Sequence, residues 1–408
     1  FFIFGEYMYN LCMKIIRREL YVPRLINVDS APDIKVITGV RRAGKSTLLD
    51  TFKSEIAKKS NVNIIHIDFN LRKNDSLSGS NKLHDYVESC YKKDSINYLL
   101  IDEIQDCNGF EKSLNYLHAT QKYHIYVTGS NAFLTASDLS TLFVGRTFPI
   151  PVFPFSFKEF TKYYSDKKSE DLFEDYLIEG GMAGSYLYDS LNSKYEYIKN
   201  TINSLIVRDI VTKYRIQYPS ILDNIIDFLF DNVGKITSVR NIANILKNEN
   251  KDIDHKTVGS YIKYLCNSFL FYQVRRYDIK GKKYLSTSAK YYIADHAMKF
   301  ARLGTRNIDR GRTLENIVAI ELLRRGYDIY VGVFNNYEID FVANKFDEQI
   351  YIQVCDTIAN DDILLRESRP LLNLKNGYKK IIITNNYKSF GTYEGIEIID
   401  IRDWLLKE

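Results

Sequence analysis

Residues 39–46 read Gly39-Val40-Arg41-Arg42-Ala43-Gly44-Lys45-Ser46, between the apolar run Ile34-Lys35-Val36-Ile37-Thr38 and a segment that opens Ser46-Thr47-Leu48-Leu49. The spacing G-x-x-x-x-G-K-[ST], set between a strand and a helix, predicts a phosphate-binding loop. Its glycines permit a conformation in which successive N–H groups point inward, and the helix that follows turns its positive end to the same anion. Residues 39–47 are therefore the expected nucleotide cradle. Lys45 places a point charge on the β- and γ-phosphates, and the Ser46 hydroxyl is a ligand for Mg²⁺, a hard cation that prefers oxygen.

Working outward, short apolar runs at 34–38, 63–69, 98–101 and 124–128 alternate with helical segments at 46–58, 83–92 and 110–120. That alternation predicts an α/β domain with a parallel sheet covered on both faces. The run Tyr98-Leu99-Leu100-Ile101 delivers Asp102-Glu103 at its carboxyl end. Asp102 is expected to hold the metal through water and Glu103 to orient and deprotonate the attacking water, the arrangement of an ATP hydrolase. Val127-Thr128-Gly129-Ser130-Asn131 ends the next strand and sets amide and hydroxyl groups beside that metal, with Asn131 as the candidate γ-phosphate sensor. Arg146, after Gly145, reads either as an arginine finger toward a neighbouring subunit or as a lid ion pair.

The remainder divides by composition. A leading amphipathic helix is expected over residues 14–26, inside a first segment 1–30, followed by the loop-bearing domain 31–150. Pro151 and Pro154 then break the pattern, and aromatic-rich helices make a helical lid or linker over 151–218. Three helical stretches and two strand-like runs about Lys280-Gly281-Lys282 predict a winged helix over 219–300, and a mixed α/β segment fills 301–408. In the third helix Asp254 is the expected N-cap, with Val258, Ile262, Leu265 and Phe269 facing the core. Its other face offers Lys256, Ser260 and Lys263, and the hairpin concentrates Arg275, Arg276, Lys280, Lys282 and Lys283 against Asp278 alone. Such a patch suits a DNA backbone; a protein contact is the other reading, since winged helices also serve as scaffolds.

The whole chain supports these readings. With 408 residues, two to four domains are expected. A hydrophobic share of 45% and a charged share of 26% fit a folded chain, and a net charge of +5 permits a polyanionic partner without requiring one. Cys12, Cys90, Cys107, Cys266 and Cys355 show no paired short spacing. Neither a zinc site nor a disulfide framework is implied, and a reducing cytoplasm is expected. No run approaches membrane-spanning length. Phe1 stands first rather than Met, and residues 1–7 are expected to be a remnant outside the fold.

The motifs together resemble the AAA-type ATPases of bacteria and archaea that carry a C-terminal domain of formerly unknown function. The stretches that carry the likeness are 34–49, Leu100 to Gln105 (LIDEIQ), Tyr126 to Ala132 (YVTGSNA), Val144 to Thr147 (VGRT), Pro154 to Phe160 (PFSFKEF) and Glu338 to Val342 (EIDFV). The resemblance implies nucleotide binding by Lys45 and Ser46, metal and catalytic roles for Asp102 and Glu103, a winged helix, and a terminal domain similar to restriction-like nucleases. Such nucleases need a helical Glu, a strand Asp, then an acid and a Lys one position apart. Glu315 and Asp340 match, but Gln353 and Cys355 stand where the second acid and the lysine belong, so a degenerate site with impaired or absent cleavage is expected. The combined expectation is Mg²⁺-dependent ATP hydrolysis coupled to rearrangement of a DNA-engaging module, with homo-oligomer or protein partners left open. The alternatives are an ATP-gated nuclease, for which Glu338 would be a further metal ligand, and an ATP-dependent protein scaffold that does not bind DNA.

Overall fold

The computed structural model describes residues 14–129, 143, 145–166, 171–248, 253–305, 309–386 and 391–407, without the side chains of 248, 286 and 287. The chain forms two compact units, Phe1–Pro154 and Phe155–Glu408.

In the first unit α1 (Tyr21–Asn27) precedes β1 (Ile34–Thr38), α2 (Lys45–Ile56), β2 (Val62–Asp68), α3 (Ser80–Ser89), β3 (Ile96–Asp102), α4 (Phe110–Ala119), β4 (Tyr123–Thr128) and β5 (Thr147–Pro151). The strand order is β2-β3-β4-β1-β5 and every pair is parallel. Strands covered on both faces read as continuous apolar runs rather than as alternation. All of β1 and all but the first residue of β3 are buried accordingly. The helices bury stripes at helical spacing, Leu48, Leu49, Phe52 and Ile56 on α2 and Phe110, Leu114 and Leu117 on α4.

Two expectations change here. The leading helix is confined to Tyr21–Asn27, and residues 14–18 are not helical. Arg18 is instead drawn inward, only 4% exposed, donating to Ala43 O and Phe153 O at 2.9 Å each. Nor do the prolines end the sheet: Pro149 and Pro151 lie in β5, paired with Val36 and Thr38. As the edge strand, β5 has one side on which a missing N–H costs nothing.

The second unit begins with α5 (Phe157–Tyr163), α6 (Leu172–Glu179) and α7 (Leu191–Ser204), which runs on as a wider π-type helix over Leu205–Thr212. The PFSFKEF stretch has a local cause: Ser156 Oγ accepts from Glu159 N at 3.2 Å and Glu159 Oε2 accepts from Ser156 N at 2.9 Å, a capping box that starts α5. There follow α8 (Pro219–Asp231), α9 (Val239–Asn248), α10 (His255–Asn267), β6 (Phe271–Asp278), β7 (Lys283–Ile293), α11 (Ala297–Leu303), α12 (Arg310–Arg324), β8 (Asp328–Phe334), β9 (Tyr337–Lys345), β10 (Glu348–Cys355), α13 (Asp361–Leu372), β11 (Lys379–Thr384), β12 (Gly391–Tyr393), β13 (Ile396–Asp400) and α14 (Ile401–Leu406).

On α10, Val258, Ile262 and Leu265 are buried as the spacing implies, and Tyr261 joins them. Phe269 does not: it is half-buried beyond the helix end, with φ +55°. Asp254 precedes the helix but its side chain makes no cap and lies 3.0 Å from His255 Nδ1. The hairpin β6–β7 belongs to one eight-stranded sheet ordered β12-β13-β11-β10-β9-β8-β6-β7, because β6 pairs in parallel with β8. The sheet therefore runs across position 300, where composition suggested a division. Helix α12 packs on β7, β8, β9 and β10 and is buried along nearly its whole length, while α13 packs on β9, β10, β11 and β13.

Candidate functional site

In a parallel sheet the carboxyl ends of the strands share one rim, and ligands of open α/β sheets bind there. That rim carries the Gly39–Ser46 loop after β1, Asp102-Glu103 after β3 and Thr128 at the end of β4.

The loop owes its path to backbone that side chains rarely allow: Gly39 has φ +143°, Arg42 +62° and Gly44 +89°. A Cβ at Gly39 would lie 1.9 Å from Val152 O, so only glycine permits the chain after β5 to pack there. Val40 and Ala43 are buried beneath the loop, Arg41 is half-buried, and Arg42 and Thr47 are exposed. Lys45 is 6% exposed, with Nζ 2.9 Å from Gly39 O and 3.3 Å from Val40 O.

Ser46 meets Asp102 through a side-chain hydrogen bond, and Thr128 Oγ1 donates to Asp102 Oδ1. The Thr128 hydroxyl oxygen also accepts Glu103 N–H at 3.1 Å. Burial foremost pushes the Asp102 carboxyl up to about 6; Glu103 and Asp68 add to this, and the two hydroxyl hydrogen bonds offset part of it. Hydroxyl and carboxylate oxygens at this spot form an all-oxygen donor set of the kind Mg²⁺ takes. Glu103 sits in the left-handed region at φ +54°, and Gln105 Nε2 donates to its Oε2. Backbone strain of this kind gathers at functional sites.

Three residues at this rim escaped the sequence reading. Asp68 ends β2 directly beside Asp102, and its position as a strand-terminal acid was legible. Gln105 lies inside the quoted LIDEIQ stretch. Arg18 carries no local signal, because its partners are 25 and 135 residues away.

Arg146 is exposed and its carbonyl accepts Ile34 N–H at 3.0 Å, which puts it at the opposite end of β1 from the loop. A strand of this length separates the two by about 16 Å, so Arg146 does not serve the loop of its own chain. Asn131 lies outside the described residues.

In the second unit Lys256 and Lys263 are exposed on α10, while Ser260 donates to Lys256 O within the helix at 3.0 Å. Arg275, Lys282 and Lys283 are exposed on the hairpin. Arg276 turns partly inward, 3.3 Å from Ser288 Oγ, and is a weaker candidate for a phosphate than its neighbour.

Glu315 and Asp340 do come together, but the basic group between them is Lys290 of β7. Its Nζ lies 2.6 Å from Glu315 Oε1, 2.9 Å from Glu338 Oε1 and 3.3 Å from Asp340 Oδ1, and the side chain is 3% exposed. Burial alone would lower the Lys290 pKa, yet the charges of Asp340, Glu315 and Glu338 carry it above its ordinary value. Glu315 is pushed up to about 7, by burial first and Asp340 second, with Lys290 opposing. Gln353 Oε1 is 3.4 Å from Asp340 N at the margin of this cluster. Cys355 is absent from it. Its thiol is buried in an apolar core with Ile339, Tyr351 and Leu371, and burial pushes it up to about 12. Among the described residues no group of three or more His, Cys, Asp or Glu side chains is arranged to hold a metal ion. Nor, among them, is any helix long and apolar enough to cross a membrane.

Comparison with known proteins agrees with this geometry. Residues 31–161 match the family described as AAA domain, and residues 170–309 match a family described as a domain of unknown function. An uncharacterised protein of Methanocaldococcus jannaschii is 28% identical over 412 residues, covering 96% of this chain and 90% of that one. Solved structures give fainter likenesses. The Aeropyrum pernix ORC1 protein in complex with DNA has a TM-score of 0.30 at 10% identity, over 71% of this chain and 93% of that one. AMPPCP-bound DnaA from Aquifex aeolicus has a TM-score of 0.31 at 18% identity, over 62% and 89%. Scores of that size carry no functional argument. An uncharacterised protein of Haemophilus influenzae is 36% identical over 400 residues, spanning 96% of this chain and 99% of its own length. The chain therefore belongs to the same family as this Haemophilus influenzae protein, and its first unit holds an AAA-type P-loop ATPase domain.

Proposed function

We propose that the first unit hydrolyses ATP with Mg²⁺ and that the second unit engages DNA under its control. The observation that carries the first half is the meeting of Ser46, Asp102 and Thr128, which gathers the phosphate-loop hydroxyl and the strand-end carboxylate at one point.

In this reading the N–H groups of residues 39–44 and the start of α2 receive the phosphates of the substrate. Lys45 moves from its loop carbonyls to the β/γ oxygens, where charge builds as the terminal bond breaks. Ser46 and Asp102 would hold Mg²⁺, which neutralises phosphate charge when bound. Glu103 orients a water for in-line attack on the γ-phosphorus and takes its proton, while ADP leaves with the electrons of the broken P–O bond. Asn131 remains the proposed γ-phosphate sensor, and Arg146, remote from its own loop, is proposed to act on a neighbouring subunit.

For the second unit, α8, α9 and α10 followed by the hairpin β6–β7 read as a winged helix. The bridge between Thr237 and Ala289, which ties the segment between α8 and α9 to β7, supports this. Exposed Arg275, Lys282 and Lys283 would supply phosphate contacts. One observation favours the nuclease reading, since Lys290 brings the ammonium that position 355 lacks. The donors nevertheless do not fit a resident metal while that ammonium fills the space between the carboxylates, and the cluster is better read as a structural ion-pair centre.

ATP turnover by the full chain, with and without duplex DNA, tests the proposal. Lys45→Ala is expected to lose nucleotide binding or turnover, whereas Glu103→Gln binds ATP and hydrolyses it at least about a hundredfold more slowly. Parent-like turnover in Glu103→Gln removes that residue from its role, and a parent without affinity for adenine nucleotides in saturating Mg²⁺ ends the reading.

A further inference from the structure

The end of the second sheet formed by β6, β7 and β8 presents a cluster of tyrosines. Tyr284 lies directly across the hairpin from Tyr277, with ring centroids 5.3 Å apart. Tyr330 of β8 stands 5.0 Å from Tyr284 and 6.1 Å from Tyr277. Tyr284 is 55% exposed, so it offers aromatic surface to a ligand beside two half-buried rings. Helix α13, which roofs β9, β10, β11 and β13, lies toward the other end of the sheet.

One cation lies against these rings and others follow at the hairpin end. The Arg275 guanidinium is 5.6 Å from the centre of the Tyr284 ring, and Lys280, Lys282 and Lys283 are exposed on the adjoining turn. Two acidic residues lie nearby: Asp278 is committed to the turn, where its Oδ1 accepts the Gly281 N–H at 3.0 Å, and Asp328, exposed at the start of β8, acts on Tyr330 together with the opposing charge of Arg275.

A duplex would use only half of this surface. Its phosphates suit the lysines, but its base faces are buried against one another and cannot reach a ring. A single strand uses both halves, because unpaired bases stack on tyrosine while the same nucleotides' phosphates meet the neighbouring cations. We infer that the β6–β7–β8 face binds single-stranded DNA, with the exposed Tyr284, backed by half-buried Tyr277 and Tyr330, stacking an unpaired base and Arg275, Lys282 and Lys283 holding the backbone. The inference rests on the DNA reading of the second unit and narrows it to one form of the nucleic acid.

The test is fluorescence anisotropy on the full chain with a labelled oligothymidine of about 20 nucleotides, long enough to cross such a face. A hairpin duplex of equal length and an RNA of the same sequence are run beside it. The single DNA strand is expected to bind more tightly than the duplex. Tyr284→Ala is expected to weaken the single-strand complex about tenfold and leave the duplex unchanged, while Tyr284→Phe, which keeps the ring, binds like the parent. Neutralising Lys282 and Lys283 together is expected to flatten the salt dependence. Duplex preference with no effect of Tyr284→Ala overturns the inference and leaves the DNA reading standing. Absence of binding to either form at low salt ends both, and a tighter complex with the RNA overturns the choice of DNA.

Discussion

Replacing Lys290 by methionine removes the ammonium and keeps the length of the side chain, so it isolates the charge at the centre of the carboxylate cluster. Glu338 is 42% exposed and its contact is screened by water, which leaves Glu315 and Asp340, at 11% and 12%, to set the size of the effect. Removing one partner of a buried ion pair costs about 3–5 kcal/mol, and a similar loss is expected here near pH 8. The pH dependence has a definite sign. Glu315 has its folded pKa raised to about 7, above the unfolded value of about 4.3, so the folded state binds more protons in that interval and stability falls as pH rises through it. Without the opposing ammonium the Glu315 and Asp340 carboxyls rise further and the interval widens on its alkaline side. The deficit of Lys290→Met relative to the parent should thus be smallest near pH 5 and grow toward pH 8. Urea unfolding followed by Trp404 fluorescence reads this directly, because Trp404 is the single tryptophan and is buried on α14 in the same unit. Adding Glu315→Gln should recover much of the loss, since its amide oxygen can still accept from Tyr292 Oη, now 2.6 Å from Glu315 Oε1. A deficit below about 1 kcal/mol, or one independent of pH, would refute the view that this cluster is a buried ion-pair centre.

Two further substitutions test the first unit. The Asp29 carboxylate accepts from Tyr98 Oη at 2.6 Å, Tyr126 Oη and Lys59 Nζ at 2.9 Å each and His124 Nδ1 at 3.1 Å. Burial alone would raise its pKa, but these hydrogen bonds hold it well below the ordinary range. Its contribution is therefore complete above the unfolded value of about 3.9 and fades as pH falls through the lower folded value. Asp29→Asn is expected to cost about 2 kcal/mol at pH 7, discounted for partial exposure, and to have parent-like stability at the most acid pH where both remain folded; equal deficits at both pH values in thermal melts would remove the argument. Gly39→Ala forces a Cβ onto Val152 O and should cost at least about 2 kcal/mol with loss of nucleotide binding. Gly44→Ala, whose Cβ would meet among the described residues only Arg18 Nη1 at 3.8 Å, bears chiefly the strain of φ +89°, about 1 kcal/mol, so identical losses in the two variants would contradict the packing argument.

What could be read from the sequence follows the range over which each signal acts. The loop 39–46, the buried strands β1 and β3 and the acids that end β2 and β3 are written in consecutive residues, because a strand covered on both faces must be apolar throughout. The prolines of β5 misled, since a residue type that breaks a central strand is harmless on an edge, and which strand is the edge depends on the order β2-β3-β4-β1-β5. Asp254 misled for a smaller reason: its backbone precedes α10 as a cap should, but its carboxylate lies beside His255. Arg18 and Lys290 were invisible in a stronger sense. Each makes its contacts across sequence separations that no local pattern encodes.

Lys290 shows what that invisibility does to a functional inference. A motif that expects an acid and a lysine one position apart assumes that one strand carries both, and by that rule Cys355 marks a lost centre. The sheet alters the premise, because the parallel pairing of β6 with β8 brings the hairpin alongside the terminal strands and swings β7 over α12. A lysine 65 positions before Cys355 thereby reaches Glu315 and Asp340. Charge balance in a buried cluster is a demand of the folded neighbourhood rather than of a sequence window, so the absence of a lysine from its expected position says nothing until the strands on either side have been placed.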